Sequence, residues 1–316
     1  MKTTTYSTLL LVMLLLTACD KKEFEFSSEG EEIRLGCSLA PQVATRATSE
    51  EDHLTSPTQF KTDVNIALFL KDQNDAFNGS LYKMVTAAGD KLNFASGSPF
   101  WPAGAVNFYA WYPYQDNGPF ASKVSTDVIT FTVNSDQRSA ANYAASDLMC
   151  AVKSATKPES ADTRIQLDFY HKLSQVIVVL KTTNDQLTDD QLATAQITID
   201  GTAGAPIYLD ATVDIDAGTA TYKSDGTTTT QLQLGTGAKT FAVLPSGQSL
   251  QAKKIRFTLD GIATREYEIS QIGNLEAGKR YTITLNLTLS TFTVTEEVFP
   301  WQSGDGWDES GSPIYV

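Results

Sequence analysis

The sequence is poor in the residues that most enzymes rely on. It contains two histidines, His53 and His171, and neither stands in a cluster with metal-ligand spacing. No G-x-S-x-G turn and no phosphate-cradling G-x-x-x-x-G-K-[ST] loop occurs. Three cysteines are too few for a disulfide scaffold. No apolar run approaches the roughly 20 residues a membrane helix needs. Basic residues are also short, with 24 Lys and Arg against 37 Asp and Glu, a net charge of −13. Such a body repels phosphate backbones, which argues against nucleic acid as a partner. Acidic pairs such as Asp189-Asp190 and Glu296-Glu297 read as solvated. The tail Asp305-Gly306-Trp307-Asp308-Glu309 lacks the ligand spacing of a calcium loop. The expectation is a protein that is not an enzyme, with no cofactor and no metal.

Apolar content is ample at 41%, with 19% charged residues, so a packed core is expected rather than global disorder. The chain opens with Lys2, an unbroken apolar run from Leu9 to Leu16, and the small residues Thr17 and Ala18 before Cys19. It then turns polar at Asp20-Lys21-Lys22-Glu23. This is the layout of a secretion signal. A cysteine at the cut resembles the bacterial lipobox. That resemblance implies a signal peptide over 1–18, lipid on Cys19 and a membrane tether outside the cytoplasm.

Beyond the junction the pattern is period two. Ile129-Thr-Phe131-Thr-Val133, Ile165-Gln-Leu167-Asp-Phe169, Ile255-Arg-Phe257-Thr-Leu259 and the run Tyr281 to Leu289 all alternate. Val64–Leu70, Val106–Tyr112 and Val176–Leu180 are more continuously apolar, as strands covered on both faces should be. Asp225-Gly226 signals a hairpin between Thr219–Lys223 and Gln231–Leu234. Helix is scarce, and Leu187–Ala195, with Thr188 and two aspartates near its start, is the best candidate. Many short strands with turn punctuation imply β-sandwiches. The unpatterned stretch 153–163 is the best domain boundary. The expected division is a leader over 19–46, one sandwich over 47–160 and a second over 161–316.

Two strands stand out. Ile33, Leu35, Cys37 and Leu39 alternate with Arg34, Gly36 and Ser38. A plain tether would be polar throughout, so something should bury this face. At the far end, apolar residues hold odd positions from 281 to 289, then even ones at Phe292 and Val294. A strand cannot slip by one residue and keep its face inward. A bulge, bend or break is expected near Ser290-Thr291, with 291–316 a separate unit. The aromatic centre, Phe100-Trp101-Pro102 leading into Phe108-Tyr109-Ala110-Trp111-Tyr112-Pro113, is expected to be core. The other reading makes Trp101, Tyr109 and Trp111 a sugar-stacking platform. The chain would then be a surface lipoprotein that binds glycans or host protein without polymerising.

The order of that aromatic stretch, Asp147-Leu148-Met149 and Leu167-Asp-Phe169-Tyr-His171-Lys-Leu173-Ser-Gln-Val176 resembles the fimbrillin family of Bacteroidales. Lys279-Arg280-Tyr281 before a long alternating strand matches more loosely. The resemblance implies an all-β chain of two tandem transthyretin-like β-sandwich domains with short helical insertions. It implies a structural or adhesive subunit of a type V pilus, exported to the outer membrane through its lipid and found in the fimbrium after cleavage. An arginine-specific protease would remove the leader, and a neighbouring subunit would fill the groove by β-strand addition. Cleavage between Arg46 and Ala47 would remove the whole strand of Ile33, Leu35, Cys37 and Leu39. Phe292, Val294, Val298, Phe299 and Trp301 are candidate anchors of the donor strand, or else the last strand of the second sandwich. A Cys37–Cys150 bridge would hinder exchange, so free thiols are expected.

Overall fold

The computed structural model describes residues 30–39, 54–56, 59–71, 80–87, 90–121, 128–182, 187–259, 264–288 and 291–301. In the first part run β1 (Leu35–Leu39), β2 (Leu54–Ser56), β3 (Gln59–Phe60), β4 (Asn65–Lys71) and β5 (Ser80–Ala87). These are followed by β6 (Lys91–Phe94), β7 (Val106–Tyr112), β8 (Val128–Thr132), α1 (Ala140–Ser146), β9 (Met149–Ala155) and β10 (Ile165–His171). The second part starts with β11 (Ser174–Thr182), α2 (Asp189–Ala193), β12 (Gln196–Asp200), β13 (Ile207–Tyr208), β14 (Asp210–Asp214) and β15 (Thr219–Tyr222). It ends with β16 (Thr228–Thr229), β17 (Gln231–Thr236), β18 (Lys239–Leu244), β19 (Lys254–Thr258), β20 (Arg265–Glu268), β21 (Lys279–Leu287) and β22 (Phe292–Pro300).

The fold is all-β, as expected. Seven described strands close into a barrel in the order β1-β10-β9-β7-β4-β5-β6. The second part is a sandwich of two four-stranded sheets, β18-β11-β21-β22 and β17-β12-β19-β20. The continuous apolar runs are indeed covered twice. Ile66, Leu68 and Leu70 of β4 join Phe108, Ala110 and Tyr112 of β7 inside the barrel. Ala67 and Phe69, with Tyr109 and Trp111, face the other way and merge with the core of the sandwich. Trp111 stacks on Phe120 at 5.7 Å. Lys71, buried at the end of β4, reaches Asp216 in the β14–β15 turn and ties the barrel to the three-stranded sheet β15-β14-β8 by an ion pair.

Several local expectations changed. The barrel sheet includes β10, and Lys172-Leu173 joins it to β11 of the sandwich. Strand β8 leaves the first part altogether and pairs with β14, Ile129 opposite Val213. The Asp225-Gly226 turn forms, with the Gly226 N–H on Lys223 O at 3.2 Å, but its flanking strands do not pair. Asp210 explains this: its carboxylate accepts the Thr227 N–H at 2.8 Å and draws the turn beneath β14. A Cβ on Gly226 would lie 2.6 Å from Asp210 Cβ, so the approach requires glycine. The hairpin forms one turn earlier, between β14 and β15. Helix α2 appears where expected, with Thr188 and Gln191 forming a reciprocal capping box.

Candidate functional site

The leader strand occupies a slot in the barrel wall. Leu35 to Leu39 lies parallel to β10, opposite Ile165 to Phe169 in register. On its other edge Leu35 and Gly36 pair with Leu92 and Lys91 of β6, antiparallel. Without β1 the barrel would have a gap between β10 and β6. The alternation read in the sequence explains the fit. Ile33, Leu35, Cys37 and Leu39 point inward and are 0–3% exposed, within the barrel core beside Phe60, Leu92, Phe108 and Phe169. Burial of this kind contributes about 1.5–3 kcal/mol for each large aliphatic side chain.

The aromatic stretch forms the wall where the leader enters. The Trp101 N–H donates to Glu31 O at 3.0 Å, and the Ile33 N–H donates to Pro99 O at 2.8 Å. The Trp101 ring is 8% exposed and meets Phe108 edge-on at 6.0 Å. Tyr109 and Trp111 are buried as well. None of the three is placed to stack against a sugar from solvent.

Polar groups close the outer lip. The Ser38 hydroxyl donates to Asp168 at 2.6 Å, and the Arg164 guanidinium donates to Leu35 O at 3.0 Å. Arg34–Asp162 and Lys157–Glu31 add exposed ion pairs of 2.7 and 2.9 Å. Exposed pairs contribute little to stability, though they order the lip. The stretch that reads as a linker thus begins as the end of β9 and sends Lys157 and Asp162 to Glu31 and Arg34.

Both described cysteines are free and buried. They lie in separate clusters, Cys37 inside the barrel and Cys150 on the sandwich side of the sheet. Burial, aided by the Asp90 charge, pushes the Cys37 thiol up to about 12. Burial pushes Cys150 up to about 12, against a small opposing effect of Lys172.

The C-terminal candidates sit elsewhere. The register change near Ser290-Thr291 is a chain reversal: the Thr288 N–H donates to Thr291 O at 2.8 Å, and β22 returns along β21. Phe292 faces Leu287 and Pro300 faces Lys279 across the pair. The strand is thus the open edge of a sandwich sheet. Phe292 and Val294 pack on its core, Phe299 is half-buried, and Val298 is 51% exposed. Glu296 accepts hydrogen bonds from Tyr267 Oη and from the backbone N–H groups of Ser270, Gln271 and Ile272, at 2.5–3.0 Å. Trp301 is buried and stacks on His171 at 3.8 Å. The His171 ring in turn meets Asp147 at 2.8 Å through Nδ1. Cys19, Arg46 and Ala47 lie outside the described residues, as do positions 302–316. Among the described residues, no His, Cys, Asp and Glu cluster could hold a metal ion.

An all-β barrel joined to a β-sandwich, with β1 closing the barrel between β10 and β6, defines the fold. The fimbrillin-like family profile matches residues 45–301, and the chain belongs to that family. A curated relative, the candidate fimbrium subunit Fim1C of Bacteroides uniformis, is 25% identical over 259 residues, covering 79% of this chain and 80% of its own. The crystal structure of a candidate cell adhesion protein from Bacteroides uniformis superposes with a TM-score of 0.65 at 21% identity, covering 86% of this chain and 99% of that one. A candidate cell adhesion protein from Bacteroides ovatus gives 0.67 at 16% identity, over 86% and 98%. At these identities the two structures establish the fold.

Proposed function

We propose that the chain is a structural or adhesive subunit of a surface fimbria, assembled by replacement of its leader strand. It is made as a lipoprotein precursor anchored to the outer membrane through Cys19. The leader fills the barrel and keeps the subunit inert. An arginine-specific protease cuts between Arg46 and Ala47, and a strand from a neighbouring subunit takes the vacated slot. Backbone hydrogen bonds to β10 and β6 supply affinity, and the inward-facing side chains supply specificity. The contact runs head to tail and does not close, so repetition gives a filament.

One observation carries this reading: β1 is the strand that closes the barrel, and Arg46 follows it at the next arginine in the chain. The matched family segment also begins at 45, beyond the leader strand. Mass spectrometry of the protein recovered from the cell surface tests the cleavage. The expected mature N-terminus is Ala47, and recovery only as acylated Cys19 would overturn it. Thiol labelling tests the exchange. Cys37 should resist labelling in the precursor and become reactive once the cut protein is mixed with a competing strand. A leader that stays masked under a saturating competitor rules out strand replacement.

A further inference from the structure

The bound leader shows what its slot accepts. Four alternate positions, Ile33, Leu35, Cys37 and Leu39, enter the barrel core. Among the outward positions Gly36 is peculiar, because it is buried while facing away from that core. Its partner across the parallel pair is Gln166. A Cβ added to Gly36 would lie 2.4 Å from Gln166 Oε1 and 3.1 Å from the Asp90 carbonyl oxygen. The glutamine end can swing aside. The carbonyl is held, because it accepts the Cys37 N–H at 2.8 Å. Asp90 itself sits in the left-handed region at φ 61°. A side chain at this position therefore pushes on the acceptor that anchors the next residue.

The C-terminal segment of this chain does not meet these demands. One alternation of β22 presents Phe292, Val294, Glu296 and Val298, placing a carboxylate where Cys37 sits and Thr295 where glycine sits. An unpaired charge in an apolar core is strongly unfavourable. The other alternation begins Thr293, Thr295, Glu297. From Gln302 to the end, only Ile314 and Val316 form an alternating apolar pair. No stretch there offers four.

We propose that the slot selects a strand of the pattern apolar–x–apolar–glycine–apolar–x–apolar, parallel to β10, and that residues 291–316 of a second copy of this chain do not supply it. This rests on the strand-replacement reading above. The test uses the full chain cut after Arg46 and four fluorescent peptides: residues 31–40, the same peptide with Gly36→Val, residues 291–301 and residues 302–316. Binding is followed by anisotropy and leader loss by mass spectrometry. The 31–40 peptide should displace the leader. The Gly36→Val peptide should bind roughly tenfold more weakly, as overpacking at a fixed backbone implies. Neither C-terminal peptide should enter. Equal binding of the Gly36→Val peptide overturns the glycine rule and leaves strand replacement standing. Entry of a C-terminal peptide as readily as 31–40 overturns the exclusion of residues 291–316. Failure of all four, including the leader's own sequence, removes strand replacement and this proposal together.

Discussion

The two strands nearest the ends of the described chain, β1 and β22, differ in how the molecule depends on them. Strand β1 is paired along both edges, and its apolar residues are almost wholly buried. Strand β22 is paired along one edge, leaves Val298 half exposed, and is pinned by Glu296 and Trp301. Taking β1 away opens a closed barrel and wets its core, so the vacancy needs an occupant. Taking β22 away leaves a sheet with a new edge (β21), a state sheets commonly adopt. The barrel thus depends on its end strand for closure, whereas the sandwich does not.

Substitutions can break this contrast. Leu35→Asp should have the largest effect, because it buries an unpaired carboxylate in the barrel: more than about 4 kcal/mol, read as loss of the cooperative transition in denaturant. Trp301→Ala should follow at about 3 kcal/mol, since it empties the site over His171. A melting temperature unchanged by it would show that β22 is not pinned. Glu296→Ala leaves three backbone N–H groups of the 270–272 loop without their acceptor and should cost about 1–3 kcal/mol in thermal unfolding. Val298→Ser should stay within about 0.5 kcal/mol, as expected of an exposed edge position.

A pH series sharpens the comparison within the barrel. The Cys37 thiol is raised from its ordinary value of 9.0 to about 12 in the folded protein. The folded state therefore holds this proton more tightly than the unfolded chain does. That stabilisation is complete below pH 9 and is lost as pH rises towards 12. Unfolding midpoints should fall across this range, and Cys37→Val should lessen the fall. Cys150 supplies the same alkaline contribution from the other face of the sheet and remains in the variant.

What the sequence revealed follows the range of its signals. The alternation of Ile33 to Leu39 announced a buried face because period two is local, and the short helix starting near Thr188 was legible for the same reason. The phase change at Ser290-Thr291 was visible, but a phase change does not distinguish a separate unit from a hairpin; the pairing of β22 with β21 does. Non-local choices were hidden. Nothing near Leu35 indicates a parallel partner at Ile165, and nothing near Ile129 indicates Val213. The stretch 153–163 lacks periodicity because most of it faces solvent, and its contacts to Glu31 and Arg34 are made by the single side chains Lys157 and Asp162. Helix α1 escaped notice because Ala140–Ser146 carries little apolar patterning and depends on the Ser139 cap.

The parallel pairing of β1 with β10 has a mechanical consequence. Strand β10 passes through Lys172-Leu173 directly into β11, which lies between β18 and β21 in the sandwich. A pull on the strand parallel to β10 from its N-terminal end, directed along its length, loads the β10 hydrogen bonds side by side in shear instead of unzipping them one at a time. That load then enters the sandwich through the backbone of one of its interior strands. Tension borne by the slot is thereby carried covalently into the best-supported part of the fold, bypassing the loops.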